Sequence, residues 1–118
     1  VRLVAITVDE VRQLALSLPE TEEKEHWGKP SFRVRGKVYA VIQEDYRSVV
    51  VKTPQDERLA KMTMEPDIYS LPDSFQNLNY MKVRIDRMPQ DAFRAVLLRA
   101  WQLVVPKRVA ASYDGEFD

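Results

Sequence analysis

The sequence predicts an α+β domain, an antiparallel β-sheet backed on one face by N- and C-terminal helices. Three observations carry that prediction. A capped amphipathic segment opens the chain, alternating apolar and charged residues joined by short turns fill its middle, and the strongest helical periodicity lies near its end. With 118 residues, 45% of them hydrophobic, the chain can build one core but not two, so 1–118 reads as a single domain. Its ends, 1–6 and 109–118, are expected to be loose.

Each element follows from local chemistry. Thr7 and Glu10 have capping-box spacing, and Asp9 suits the first turn of a helix. Val11, Leu14, Ala15 and Leu18 then recur on one face, and Pro19 ends the helix. The acidic stretch 20–25 is expected to be a solvated connector, and Trp27-Gly28-Lys29-Pro30 a turn. Phe32 and Val34 alternate with Arg33 and Arg35, and Gly36 marks a tight turn before a strand over 38–44. That is a hairpin with one buried and one charged face. Residues 44–47 turn the chain into a third strand over 48–52. Thr53 and Pro54 look like the cap and first residue of a second helix, with Leu59 and Met62 on its inner face. Residues 63–79 are broken by prolines and small polar residues, so a structured loop with at most one short strand is expected. Over 80–86, Met81, Val83 and Ile85 alternate with Lys82, Arg84 and Asp86. Pro89 opens the last helix, in which Phe93, Val96, Leu97, Ala100, Trp101 and Val104 keep helical spacing until Pro106 blocks continuation. An acidic tail over 114–118 follows.

Composition removes several function classes. There is no cysteine, hence no disulfide framework, thiolate nucleophile or Cys-based metal site. A single histidine excludes a multi-His metal centre. Residues 1–6 are too short for the apolar core of a signal peptide and no long apolar run is present, so the cytoplasm is the expected compartment. The 18 basic residues balance 18 acidic ones, which argues against a strong non-specific nucleic-acid binder. The charges are unevenly spread, however: bases gather in 31–52 and 76–108, acids in 9–25 and 56–73.

The order of elements and the motifs Leu18-Pro19-Glu20-Thr21-Glu22, Trp27-Gly28-Lys29-Pro30-Ser31-Phe32-Arg33-Val34, Gly36-Lys37-Val38-Tyr39-Ala40, Val51-Lys52 and Ala100-Trp101-Gln102-Leu103-Val104 resemble the MmcQ/YjbR family of small bacterial proteins. The resemblance spans about 7–107. It implies a CyaY-like (frataxin-like) fold and DNA binding, with hairpins acting as wings. Where the family often has Trp at the start of the late strand, Tyr80 stands here.

Strand alternation places Arg33, Arg35, Lys82 and Arg84 on the outer sheet face, with Lys37 at the hairpin turn and Lys107 and Arg108 extending the set. Those seven residues are the candidate phosphate contacts. The plainer reading is a wet sheet face kept soluble by charge. Two other classes stand beside DNA binding. One is a frataxin-like metal binder using Glu20, Glu22, Glu23 and Glu25; the other is a protein-interaction module using Tyr39, Tyr46 and Tyr69. His26 beside Trp27 has no partner in a recognised catalytic motif, so no enzyme activity and no cofactor are expected. DNA or another protein is the expected partner, the chain acting as a monomer without membrane association.

Overall fold

The Thr7 hydroxyl accepts the Glu10 N–H, and the Glu10 carboxylate accepts the Thr7 N–H at 2.8 Å. This reciprocal cap starts α1 (Val8–Ser17), which buries Val11 and Ala15 and stops ahead of Pro19. The computed structural model describes residues 5–113. Within them Ala5 bridges Pro89 and Ile6 is buried, so the first expected loose end is tied down where it is described. Residues 1–4 and the acidic tail 114–118 lie outside the described residues.

Among the described residues the sheet has six strands: β1 (Thr21–His26), β2 (Lys29–Val34), β3 (Lys37–Ile42), β4 (Ser48–Lys52), β5 (Tyr69–Ser70) and β6 (Tyr80–Arg84). Their order is β1-β2-β3-β4-β6-β5, and every pair is antiparallel. The acidic stretch is therefore a strand and not a connector. It pairs residue for residue with β2, from Thr21 opposite Val34 to His26 opposite Lys29. As an edge strand it needs no apolar face of its own, and its charges discourage pairing with another chain.

Two tight turns frame β2. Trp27 and Gly28 have φ of 54° and 80°, Arg35 and Gly36 of 51° and 82°. Positive φ at both central residues matches the right-handed twist of the flanking strands, and glycine at the second position accepts it without strain. Between these turns the β2–β3 register slips: Phe32 faces Ala40 while Arg33 faces Val38, which leaves Tyr39 as the extra residue of a bulge. Its ring is fully buried, and its hydroxyl lies 2.9 Å from Thr21 Oγ1. Burial pushes the phenol well above its ordinary pKa, against the smaller opposing effect of that hydrogen bond.

The inner sheet face, with Phe32, Ala40, Ile42, Val49, Val51, Met81 and Val83, packs against α1 and α3 (Gln90–Gln102). Phe93, Val96, Leu97, Ala100 and Trp101 are the buried face of α3, as their spacing requires. Trp101 Nε1 donates to the Pro19 carbonyl at 2.9 Å, tying the last long helix to the end of the first. After Pro106 the chain forms α4 (Lys107–Ser112), so 109–112 are helical where a loose end was expected. Val109, Ala110 and Tyr113 pack on the core, with the Tyr113 ring 5.2 Å from that of Trp101.

The second helix departs furthest from expectation. α2 (Gln55–Met64) has no side-chain cap. Thr53 is buried, gives its N–H to the Asn79 carbonyl at 2.8 Å and turns its hydroxyl to Val51 O. Leu59 is 64% exposed, and the inner face is made by Met62 and the buried Arg58. The Arg58 guanidinium donates to the carbonyls of Phe75, Gln76, Leu78 and Tyr80. It thereby organises the irregular stretch, which contains β5 and a 3₁₀ turn at Asp73–Phe75.

Replacing Arg58 by Met fills the space but leaves those carbonyls without a donor. At about 1–3 kcal/mol for a buried acceptor left unmade, and with the surface loop able to recover some water, a loss of about 3 kcal/mol is expected. That corresponds to a fall in Tm of roughly 10 °C for a domain of this size. Thermal unfolding measures it, and a Tm within a degree or two of wild type would show that Arg58 does not hold the loop.

Candidate functional site

Register decides which predicted basic residues share a surface. Val34, Met81 and Val83 are in the core, so Arg33, Lys82 and Arg84 stand on the outer face. Val38, Val41, Val50, Lys52 and Tyr80 join them there. Arg35 does not: it occupies the β2–β3 turn, with Nε 2.8 Å from Glu20 Oε1. Lys37 sits at the same end, opposite the core residue Val34. Lys107 and Arg108 open α4 in the helical layer, away from the sheet's outer face. The seven-residue set is thus split three ways.

Among the outer-face cations, Arg84 is held in a fork by Asp86, with contacts of 2.9 and 2.8 Å. Arg33 donates from Nη2 to Ser31 Oγ at 2.7 Å, and its buried Nε has no partner among the described residues. Lys52 lies 5.6 Å from the centroid of the Tyr80 ring. Lys82 makes no ion pair among the described residues, although Asp45 lies within its field. Arg33, Lys52 and Lys82 therefore remain without a carboxylate partner among the described residues. Lys52 was not among the predicted residues because its place beside Lys82 depends on β4 pairing with β6, which is non-local.

Between these charges runs an open groove of about 450 Å³. Val38, Val41 and Val50 form its floor. One end is bounded by His26, Trp27, Lys29 and Gln43, the other by Phe75, Leu78 and Tyr80. Trp27 is 89% exposed at its hairpin tip, with the His26 ring set edge-on to it. Phe75 and Tyr80 have ring centroids 6.0 Å apart. At the polar end Lys29 Nζ reaches Gln43 Oε1 at 3.4 Å and Glu44 at 3.3 Å, and the Gln43 amide donates to Val41 O.

The hairpins acquire a definite geometry. The turn at Arg35 and Gly36 lies at the opposite end of β2 from the turn at Trp27 and Gly28. The two neighbouring tips are instead Trp27-Gly28 and the 44–47 turn, joined by the Lys29–Glu44 pair. They present Trp27 and Tyr46, both exposed.

The other candidate sets are dispersed. Glu23 pairs with Arg12 and Glu20 with Arg35, and among the described residues no three His, Asp or Glu side chains are grouped to hold a metal ion. Tyr39 and Tyr69 are buried, which leaves Tyr46 as the one tyrosine of its set at the surface. Among the described residues no helix is long and apolar enough to cross a membrane.

The sequence matches the YjbR family model over residues 16–103. A crystal structure of Deinococcus radiodurans protein DR2400, with a DUF419 domain, superposes with a TM-score of 0.78. It is 19% identical, and the match covers 92% of this chain and 93% of that one, a likeness of fold. No curated protein matches the chain.

The surface carboxylates carry a pH signature. Hydrogen bonds from Arg84 hold the Asp86 carboxyl below its ordinary pKa, against a smaller effect of burial. At Asp45 burial works the other way, and the N–H groups of Arg47 and Ser48 with the Ser48 hydroxyl outweigh it. A carboxyl whose folded pKa is depressed stabilises the fold fully above its unfolded value, about 3.9 for Asp, and loses that contribution as pH falls. Asp86→Asn should therefore be less stable than wild type near neutrality, with the gap closing as denaturation is followed down through about pH 4. A gap that stays constant down to strongly acid pH would contradict this assignment.

Proposed function

The chain belongs to the YjbR family, and we propose that it is a DNA-binding module without enzymatic activity whose contact surface is the outer sheet face. One observation carries the reading: Arg33, Lys52 and Lys82 share that face without a carboxylate partner among the described residues, beside a groove edged with aromatic rings. Cations free of ion pairs can take phosphates without first breaking a salt bridge, and aromatic faces can take bases. Arg35, Lys37, Lys107 and Arg108 lie elsewhere and are left out of the surface. The neighbouring tips at Trp27 and Tyr46 fill the place of the wings, contributing rings more than charge.

Three phosphate contacts set the scale. With about 0.7 counterions released per contact to a single strand, log K should fall with log salt at a slope of about 2. This is a weak, salt-sensitive interaction, in keeping with a neutral chain.

Labelled oligonucleotides titrated at several salt concentrations test the proposal. The double variant Lys52→Gln/Lys82→Gln should reduce the slope to about 0.7, one contact remaining. The control Lys107→Gln/Arg108→Gln should leave it unchanged. Absence of binding at low salt, or an equal loss in the control, would remove the assignment.

A further inference from the structure

We infer that the groove on the outer sheet face is a site for unpaired nucleobases, making the chain a reader of single-stranded DNA. The inference rests on the DNA-binding reading and goes further, since phosphate contacts alone do not distinguish single strand from duplex.

The lining is the first argument. Outer positions of a solvated sheet face are ordinarily polar, as Glu22, Lys24, Lys82 and Arg84 are here. Val38, Val41 and Val50 break that rule side by side on β3 and β4. The loop through Phe75 and Leu78 covers part of this strip, and the rest opens as the groove. Its floor is aliphatic, with Val41 and Val50 9% and 6% exposed, and aromatic side chains bound both ends.

Trp27 is the second argument. An indole 89% exposed gains nothing from the fold, yet its turn is fixed by two positive φ angles and by the β1–β2 ladder. An exposed aromatic on a fixed backbone turn beside an apolar floor is placed to stack on a base. A duplex keeps base faces inside its own stack, so only an unpaired or extruded base can use it.

The polar end gives the site orientation. The Gln43 amide donates one N–H to Val41 O and accepts from Lys29, which leaves one N–H and one lone pair for a base edge. Lys82 lies one strand, roughly 4.8 Å, beyond Val50 and is placed for the backbone of the same nucleotide segment. Base in the groove and phosphate on Lys82 are thus compatible in one pose.

The experiment compares a short oligothymidylate, the corresponding duplex and an abasic strand of equal length. Affinity is followed by fluorescence anisotropy, and the methyl resonances of Val41 and Val50 by NMR. The single strand should bind about ten-fold more tightly than either competitor, and Trp27→Ala should remove about that factor while Trp27→Phe restores most of it. Ring-current shifts at the Val41 and Val50 methyls should appear with the base-bearing strand and not with the abasic one. Equal binding of all three, with unmoved methyls and an indifferent Trp27→Ala but a sensitive Lys82→Gln, would overturn the base site while leaving phosphate binding intact. No binding of any strand at low salt would overturn both.

Discussion

Arg58 faces backbone oxygens where a buried cation more often faces a carboxylate. Its guanidinium collects the carbonyls of Phe75, Gln76, Leu78 and Tyr80, so the chain must curl around a single point. A planar fork with several fixed N–H directions can satisfy those four oxygens together, which an ammonium could not do as well. The curl fixes where β6 begins, aided by the Thr53–Asn79 hydrogen bond. It also sets Phe75 and Leu78 against the outer face of the sheet. The wall of the groove is in this sense built from the helix side of the molecule.

The floor of the groove has a separate origin in the β2–β3 bulge. With Tyr39 inserted, both Tyr39 and Ala40 are buried, and Val38 shifts to the outer face opposite Arg33. Val41 and Val50 follow on the same face and are only 9% and 6% exposed. The apolar strip is therefore partly a second, small core beneath the 75–78 loop, and burial there stabilises the loop in the ordinary way. That explanation covers Val50, while Leu78 is still 48% exposed. It does not reach Trp27, which lies at the far end and is nearly bare.

Elements set by local chemistry were legible in the sequence. The Thr7–Glu10 cap, the face of α3 and the late strand all depend on residues close together in the chain, although that strand, expected over 80–86, ends at Arg84 where Ile85–Arg87 forms a 3₁₀ turn. β1 was not legible, because a run of charges with no apolar alternation becomes a strand only through pairing with β2. With β1 unseen, Trp27-Gly28 could be read as a turn but not as the tip of a hairpin. Arg58 was hidden for a related reason: an arginine within a polar helix looks solvent-facing, and its partners lie 17 to 22 residues further on. Of the site, outward alternation correctly placed Arg33, Lys82 and Arg84, whereas Arg35 was misplaced because the pattern was carried one residue into a turn.

Net charge is a poor guide to this surface because several acids are already paired with particular bases. Glu20 holds Arg35, Glu44 holds Lys29, Asp86 holds Arg84 and Glu57 holds Arg99. Each such pair is nearly silent at a distance, since exposed charges are screened within about 8 Å at physiological ionic strength. What a ligand meets is the local remainder, and among the described residues that remainder on the outer face is Arg33, Lys52 and Lys82. Lys52 and Lys82 stand one diagonal step apart on adjacent strands, about 7–8 Å. Arg33 lies three strand spacings from β6, about 14 Å, beyond the screening length. Cations so spaced do not add up to one strong patch. They suit separate charges along an extended chain better than a single compact anion, and the apolar strip between them supplies the surface that such a chain's uncharged parts require.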